Sequence, residues 1–325
     1  MYAMCRCLVL TCLLVAAASA PTLVTAENAD GHAVPTAMGG RPAECTLSAS
    51  GRLGISLHCK GAPVHAAFNQ DAVKLLTRYP NASFNTSGVD LNPRCFTPGC
   101  LLTICGRSDV IIQGAVQKLD PMPGLVQSVL CVANNSRVTL QRAVIANNQL
   151  MRGVHAMHNA RVLLDSTTIA GNSLLDSDGV GVRVTDRAEV KISGRSVLAG
   201  NLAPGGNGAG VFAGGDAVVN IVDSSIVNNT CDIFGGGVAA FGNSEVSISG
   251  RSSISGNVAR NGGGVAVLDN AILHVSQGVV LADNAITAKG APDLYVGSTQ
   301  PVLLPAGAAV RKWGKKSVQA VAAQG

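Results

Sequence analysis

The apolar positions and glycines of this chain repeat with a period of 27 to 29 residues over most of its length. A Gly-Val pair marks each period, and the pairs begin at Gly153, Gly181, Gly210, Gly237 and Gly264. Nine residues after each of these glycines comes a valine or leucine, and a second apolar residue follows two positions later. Alternation of this kind over a short run predicts a β-strand with one buried face.

A further short apolar segment closes each period and is followed by an asparagine. These asparagines are Asn172, Asn201, Asn229, Asn257 and Asn284. Three short strands per period are typical of a parallel β-helix, so the chain is predicted to be all-β, with about seven coils of 24–29 residues. Like positions stack in such a fold. The asparagines are therefore predicted to form a structural ladder at a bend, in left-handed backbone geometry, with each side chain bonded to the next.

Residues 102–300 resemble the right-handed parallel β-helix proteins of the pectate-lyase-like superfamily. The Gly-Gly-Gly-Val segments at 235–238 and 262–265, and Asp-Leu-Tyr-Val at 293–296, are similar to repeats of polymorphic outer-membrane-type surface proteins. In that family the repeat usually reads Gly-Gly-Ala-[Ile/Leu/Val], with Phe-x-x-Asn. Here glycine replaces the alanine, and Ile-Ser-Gly-Asn at 254–257 replaces Phe-x-x-Asn. The resemblance implies a right-handed, single-stranded helix that ends near residue 296, but no single function, because this fold hosts lyases, hydrolases, isomerases and adhesins.

Composition agrees with a thin, stacked core. Hydrophobic residues make up 47% of the 325 residues, aromatic residues 3% and charged residues 13%, with a net charge of +5. That balance excludes intrinsic disorder, which requires high charge and few apolar residues. The basic residues cluster only in the tail, around Lys315 and Lys316. Nucleic-acid binding is therefore not expected, because it concentrates them on one face or helix. The shortage of aromatic rings argues against an extended sugar-binding cleft.

The chain divides into four predicted segments. Arg6 precedes an apolar run from Leu8 to Ala18, the layout of a secretory signal peptide, and no later apolar run is long enough to span a membrane. An extracellular or cell-surface location is therefore expected. The non-repetitive part contains a predicted hairpin around Ser50-Gly51 and a helix from Asp71 to Tyr79. The segments are 1–26, signal peptide; 27–101, N-terminal capping region; 102–300, parallel β-helix; and 301–325, C-terminal tail.

Six of the cysteines that remain after the signal peptide lie between residues 45 and 131. They predict a disulfide-stapled cap formed in an oxidising compartment. Cys45 and Cys59 flank the predicted hairpin and are expected to pair, whereas the other pairings stay open. Cys231 is left as a free thiol, and no metal site is expected. Four Asn-x-Ser/Thr triplets are candidate glycosylation sites: Asn81, Asn85, Asn134 and Asn228.

Few polar residues form a constellation that could do chemistry. In the repeat frame His155 and Arg183 stack at one outward position, and His158 and Asp186 stack at another. A histidine beside an aspartate could act as a general base. Outward clusters of this kind are, however, more often only solvated polar residues of the surface. Outward Phe212 is predicted to join Phe241 and Leu268 in a small apolar patch for a partner, or to support a loop.

The sequence therefore favours a secreted or cell-surface β-helix protein with a structural, adhesion or recognition role. Its expected partners are a polysaccharide or a cell-surface protein, and no cofactor is expected. The alternative is an extracellular polysaccharide lyase or glycoside hydrolase that acts on acidic polysaccharide. Only the lyase alternative implies calcium, through the resemblance to pectate lyases.

Overall fold

The computed structural model describes residues 41–288, 291–305, 312–314 and 318–321. The predicted signal peptide and part of the predicted tail lie outside these residues. Among the described residues, no helix has the length and apolarity needed to cross a membrane.

The N-terminal region begins with the predicted hairpin. Its strands pair antiparallel, and Cys45 and Cys59 lie opposite each other and form the expected disulfide. The predicted helix is present but ends at Leu76, where the amide and hydroxyl of Thr77 bond the Val73 carbonyl. The elements are β1 Ala43–Ser50, β2 Gly54–Lys60, β3 Val64–Phe68, α1 Gln70–Leu76, β4 Ser83–Ser87, β5 Val89–Leu91 and a 3-10 turn Pro93–Cys95.

Short strands follow one another from residue 99 onward. In chain order they are β6 Gly99–Ile104, β7 Asp109–Gln117, β8 Val126–Val132, β9 Arg137–Gln141, β10 Val144–Ala146, β11 Arg152–Ala156, β12 Arg161–Asp165, β13 Thr168–Ala170, β14 Val182–Val184, β15 Glu189–Ser193, β16 Val197–Ala199, β17 Leu202–Ala203, β18 Val211–Ala213, β19 Val218–Val222, β20 Ser225–Val227, β21 Thr230–Cys231, β22 Val238–Ala240, β23 Glu245–Ser249, β24 Ser253–Ser255, β25 Val258–Ala259, β26 Val265–Val267, β27 Ile272–Val275, β28 Val280–Ala282, β29 Ala285–Ile286, β30 Leu294–Val296, β31 Val302–Pro305, β32 Lys312–Gly314 and β33 Val318–Val321.

Equivalent strands of successive coils pair in parallel and form four ladders. The first ladder contains β6, β8, β11, β14, β18, β22, β26, β30 and β32. The second contains β7, β9, β12, β15, β19, β23, β27, β31 and β33. The third contains β7, β10, β13, β16, β20, β24 and β28. The fourth contains the short strands β17, β21, β25 and β29.

These ladders confirm the predicted parallel β-helix, but the predicted number of coils is wrong. The first ladder contains nine parallel strands, hence about nine coils rather than seven. Strand β30, predicted to be the last, is followed by β32 in the same ladder. The coils at both ends lack the Gly-Val pair, so the pair did not reveal them. They stack all the same, because stacking requires only backbone partners and buried side chains. At the other end, β1 of the hairpin pairs in parallel with β7 and extends the second ladder.

The inward side chains of the ladders form one continuous apolar core. In the first ladder, the residues that follow the repeating glycines are fully buried: Val154, Val182, Val211, Val238 and Val265. Valine, isoleucine and leucine fill the equivalent positions of the second and third ladders. The narrow core therefore explains why this chain has so few aromatic residues.

The predicted asparagine ladder is present and fully buried. Asn201 is representative: its Nδ2 donates to the Ile169 carbonyl at 3.0 Å and to Asn229 Oδ1 at 2.9 Å. Its backbone N–H donates to the same Oδ1 at 3.0 Å. The ladder starts at Asn148, to which the repeat frame also extends, and Asn284 donates to Asp293 Oδ1 at its other end. Each asparagine thereby satisfies buried backbone groups of two coils.

The expected left-handed geometry of these asparagines is wrong. Positive φ values of 60° and 56° occur one residue earlier, at Gly200 and Asn228. The asparagine side chain must point into the core to reach the backbone carbonyl to which it donates, as Asn201 reaches that of Ile169. The residue before the asparagine therefore adopts the left-handed conformation of the turn. The column of repeating glycines packs beside the ladder: a Cβ at Gly237 would lie 2.9 Å from Asn257 Nδ2 and 2.6 Å from the Gly264 carbonyl oxygen. The glycine of each Gly-Val pair is therefore required because a larger residue would clash with the asparagine ladder and with the next coil.

Candidate functional site

The outward side of the first ladder changes character along the helix axis. Parallel strands in register place equivalent side chains about 4.8 Å apart. The predicted stacking of His155 on Arg183 is confirmed by this register. The outward column then continues beyond Arg183 with Phe212, Ala239, Ala266 and Tyr295. This face therefore passes from basic to aromatic residues across successive coils.

Four aromatic rings meet on this face, and we call them the aromatic row: Phe212, Phe241, Phe234 and Tyr295. The ring centroids of Phe212 and Phe241 are 5.5 Å apart and the rings are stacked. Phe234 contacts Phe241 at 6.1 Å and Tyr295 at 5.3 Å. The chain has one Trp, three Tyr and six Phe, so four of its ten aromatic residues belong to this row. Such a concentration is notable because Phe68 is the one aromatic residue of the described core. Within the row, Phe212 is buried and the other three rings are half-buried.

Two arginines stand at the basic end of the row. Arg152 is only 3% exposed, and its Nη2 donates to Ser177 Oγ. The guanidinium of Arg183 lies over the Phe212 ring, 5.6 Å from its centroid. The Nε atoms of both arginines are buried and have no hydrogen-bond partner among the described residues. Neither arginine forms one of the ion pairs found in the described part of the chain.

The position of Arg152 is apolar in the next coils. Two residues before the buried valine of each coil stand Val180 and then Ala209, which pack with Leu174 in a small apolar cluster. Arg152 therefore occupies a site that the next two coils give to apolar side chains, whereas the preceding coil has the buried Ser128 there. Burying a charge without a bonded counter-charge is costly.

The electrostatics follow from this crowding of basic groups. Burial, then the charge of Arg183, lowers the pKa of Arg152 to about 9, against the opposing effect of Asp178. Burial also lowers the pKa of His155 to about 3, assisted by Arg152, Arg183 and His158. His155 is therefore neutral at physiological pH, and its Nε2 lies 3.2 Å from Thr185 Oγ1.

His158 and Asp186 lie on a different edge of the coils, in a turn. Both residues have left-handed backbones, with φ values of 60° and 61°. Asp186 Oδ2 accepts a hydrogen bond from the backbone N–H of His158 at 2.8 Å. His158 Nδ1 accepts from the Asn134 N–H at 3.4 Å, one coil earlier. Each side chain thus satisfies a backbone group of the neighbouring turn. Asp186 bonds the backbone amide of His158 and not its imidazole ring.

These turns line an open cleft of about 680 Å³. Its walls carry Arg107, Asn135 and Arg187 beside the stacked turn residues. Within the described part of the chain, no group of three or more His, Cys, Asp or Glu side chains could hold a metal ion. The cleft is therefore polar and mixed in charge, without a set of converging carboxylates.

The remaining predicted sites are distributed over the surface and the cap. The four glycosylation candidates are all exposed, and their modification stays a prediction: Asn81, Asn85, Asn134 and Asn228. Two further disulfides join Cys95 to Cys105 and Cys100 to Cys131. Cys231 is a free, buried thiol, and burial raises its pKa to about 11.

Sequence reasoning missed Phe234 and Tyr295 as members of the outward face, and it missed the burial of Arg152 beside that face. Leu268, the third member of the predicted apolar patch, directly follows β26, as Phe241 directly follows β22. It therefore occupies the position equivalent to Phe241 in the next coil, but it adds no ring to the row. A signal was available: Arg152 stands 28 residues before Val180, so the repeat frame marks a charge at an apolar position.

The stacked ladders define the class of this molecule as a parallel β-helix protein. Residues 127–253, which run from β8 to the start of β24, match the family model described as right handed beta helix region. None of the curated proteins and none of the solved structures compared with the chain matches it. The similarity to polymorphic outer-membrane-type surface proteins stays a prediction.

Proposed function

We propose that this is a secreted or cell-surface β-helix protein that recognises a partner through the outward face of its first ladder and has no catalytic role. The observation that carries the proposal is the aromatic row beside Arg152 and Arg183. Aromatic residues and arginine are the residue types that contribute most to binding energy at interfaces. A fold that needs few aromatic residues for its core has gathered four of them outside it.

The cysteines support the extracellular location. Three disulfides lie in the N-terminal region and the first coils. Disulfides form and persist in oxidising compartments such as the extracellular space. The signal-like segment at 1–26 supports the same location.

The geometry of the candidate catalytic groups supports recognition over chemistry. A general base works best when its pKa lies near the operating pH. His155, with a pKa of about 3, is a weak base, and Asp186 is engaged with a backbone amide. His158 Nδ1 accepts from the Asn134 N–H, so the His158 ring and Asp186 are each engaged with a backbone amide and are not placed as a dyad that could activate a water molecule.

Binding and turnover should be measured together, with the full mature chain. The ligands are intact cells, wall material and a panel of uronic-acid polymers, with and without calcium. We expect binding to at least one surface and no turnover. Phe241→Ala should weaken that binding by about tenfold or more, because it interrupts the aromatic row.

Phe96→Ala is the matched control. Phe96 is an exposed phenylalanine of the N-terminal region, so its removal should leave binding unchanged. Turnover that is abolished by Asp186→Ala or His158→Ala would instead establish the lyase or hydrolase alternative. Equal loss of binding in both phenylalanine variants would contradict the assignment to the first ladder.

A further inference from the structure

We propose that Asn261 is a site of spontaneous covalent modification, at which the carboxamide is lost and the residue becomes a mixture of aspartate and isoaspartate. The reacting group is the backbone nitrogen of Gly262, the next residue. The chemistry needs no ligand, so it does not rest on the recognition role proposed above. It is carried by a comparison of two identical dipeptides that the fold places at equivalent positions.

The reaction is a cyclisation followed by hydrolysis. The Gly262 nitrogen loses its proton to hydroxide and attacks Asn261 Cγ. A C–N bond forms, and the side-chain nitrogen takes a proton from water and leaves as ammonia. Water then opens the five-membered succinimide at either carbonyl carbon, which gives aspartate or isoaspartate. Glycine favours this ring because it has no Cβ to obstruct the approach.

Two Asn-Gly dipeptides occur in the chain, at 207–208 and 261–262. Each lies in the loop before a strand of the first ladder, and two coil steps separate them. Phe234 is the equivalent residue of the coil between them: the Gly208 N–H donates to the Phe234 carbonyl, and Phe234 forms a parallel bridge with Asn261. Both asparagines are half-buried, so exposure does not distinguish them.

The first dipeptide is held by its neighbours on both sides. Asn207 Nδ2 donates to Asp178 Oδ1 at 2.8 Å, and Asn207 Oδ1 accepts from the Phe234 N–H at 3.2 Å. The N–H of Gly208 donates to the Phe234 carbonyl at 2.9 Å. The carboxamide and the attacking nitrogen are therefore both engaged, and cyclisation must first open a packed part of the coil.

The second dipeptide has a fixed backbone but a free side chain. The Asn261 N–H donates to the Ile233 carbonyl at 3.0 Å, and the Asn261 carbonyl accepts from the Gly235 N–H at 3.1 Å. The Asn261 carboxamide has no hydrogen-bond partner in the described part of the chain, and neither has the Gly262 N–H. The two reacting groups are therefore free to approach each other.

The difference comes from the column of stacked residues to which both asparagines belong. Its successive members are Asp178, Asn207, Phe234 and Asn261. An asparagine stacked after an aspartate finds an acceptor for its amide, whereas an asparagine stacked after a phenylalanine does not. The order of residues in this column therefore protects the first Asn-Gly dipeptide and leaves the second one reactive.

The reactive dipeptide lies at the end of the aromatic row. Asn261 pairs with Phe234, and a Cβ at Gly262 would lie 2.8 Å from the Tyr295 Cβ. The rings of Phe234 and Tyr295 are in contact, with centroids 5.3 Å apart. Both products add a carboxylate here, and isoaspartate also adds a carbon atom to the backbone. The modification therefore changes the contact between these two rings.

Ageing of the full chain at neutral and mildly alkaline pH tests the proposal. Peptide mapping with fragment-ion sequencing locates the change in mass, and an isoaspartyl methyltransferase labels the isoaspartate. We expect Asn261 to convert at least about tenfold faster than Asn207, whose side-chain hydrogen bonds must break first. Conversion should be faster at the higher pH, because hydroxide removes the Gly262 proton. Equal rates at the two asparagines, or no conversion at Asn261, overturns the proposal.

Asp178→Ala isolates the cause of the difference. It removes the acceptor of the Asn207 carboxamide, so Asn207 should convert about fivefold faster or more, whereas the rate at Asn261 should not change. Asp178→Asn is the matched control, because it keeps an acceptor oxygen and should leave Asn207 protected. Thermal unfolding shows whether both variants fold. An unchanged rate at Asn207 in folded Asp178→Ala contradicts protection by stacking.

Near-ultraviolet circular dichroism reports the effect on the aromatic row, because it is sensitive to the packing of aromatic rings. The signal of the parent chain should change as Asn261 converts. Asn261→Ser cannot undergo the reaction, so the same ageing should leave its signal at the starting value. A change of equal size in both proteins would assign the signal to other residues and remove the link between this site and the row.

Discussion

Two columns of stacked side chains in this molecule follow opposite rules. Along the buried asparagine ladder every coil contributes the same residue, and its side chain bonds both neighbouring coils. Along the outward face of the first ladder the residue changes from coil to coil, and Arg183 on this face and the buried Arg152 beside it keep Nε atoms without a partner among the described residues. Stacking alone explains the first column. The second requires something beyond the fold.

This contrast gives a way to separate structure from function in a β-helix. A position that repeats in every coil is accounted for by nearest-neighbour stacking. A buried position where a charge stands in place of the apolar residues of the next two coils, as Arg152 does relative to Val180 and Ala209, carries a cost that stacking does not repay. The predictions below test whether the two columns differ in this sense.

The largest effect is expected from Asn229→Ala, in the middle of the ladder. Asn229 donates to the Leu198 carbonyl and to Asn257 Oδ1, and it accepts from both nitrogens of Asn201. Its removal leaves several buried groups unsatisfied, so the free energy of unfolding should fall by about 3–5 kcal/mol. Urea denaturation measures the change. Asn220→Ala, a half-buried outward asparagine of the second ladder, should change it by less than about 0.5 kcal/mol.

A loss below about 1 kcal/mol in Asn229→Ala would show that the ladder does not stabilise the coils. The first column would then lose its structural explanation. The variant keeps the Asn-x-Thr triplet at Asn228, so any glycosylation there is preserved and does not confuse the comparison.

The second effect is a dependence on acid pH that comes from His155, which faces Arg152, Arg183 and His158. Its folded pKa of about 3 lies below the ordinary value of 6.5. Between these values the unfolded chain takes up a proton that the folded chain does not, so the folded state loses stability as pH falls from 6.5 to 3. The slope is at most about 1.4 kcal/mol per pH unit.

His155→Gln removes this titration and keeps a polar group near Thr185. From pH 7 to pH 4 the parent chain should lose about 2 kcal/mol more unfolding free energy than the variant, after allowance for partial exposure. Urea denaturation at the two pH values measures the difference. Parallel losses in the two proteins would mean that His155 titrates normally and that the basic end of the row is more solvated than its packing indicates.

The coils and the asparagine ladder could be predicted from the sequence because both repeat with the period of the fold. The pair of Phe212 and Phe241 could be predicted for the same reason, whereas the other two rings of the aromatic row could not. Phe234 lies in a loop before its strand, and Tyr295 stands 61 residues later, so only the stacking of coils brings them together. The burial of Arg152 was missed for a related reason. Charged residues are normally assigned to the surface, and only alignment with Val180 shows that this one is inside.

The third prediction is a substitution that should stabilise the protein. Arg152→Met replaces a buried, unpaired charge with an apolar side chain that matches the apolar residues of the next coils. The free energy of unfolding should rise by about 1–2 kcal/mol at neutral pH. Thermal and urea unfolding measure the gain. A loss of stability instead would mean that Arg152 is satisfied by its own surroundings and belongs to the structure, as the asparagines do.

The gain from Arg152→Met should also shrink above pH 9. There the folded parent chain begins to release the Arg152 proton, because its folded pKa is about 9, whereas the unfolded chain keeps the proton up to the much higher ordinary pKa of an arginine. The unfolded state then binds more protons, so the parent chain becomes more stable relative to the variant as pH rises. A gap that stays constant from pH 7 to pH 10.5 would contradict a lowered pKa.

The smallest effect is expected from Arg161→Met, which removes a charge from an outward residue of the second ladder. Arg161 Nε lies 3.3 Å from Glu189 Oε2, and both side chains are largely exposed, at 59% and 46%. Exposed ion pairs contribute little, so the free energy of unfolding should change by less than about 0.5 kcal/mol. Urea denaturation in low and high salt measures it. A loss above about 1 kcal/mol would mean that outward polar residues of this helix stabilise the coils after all, and a departure from the repeat would then no longer mark a binding site.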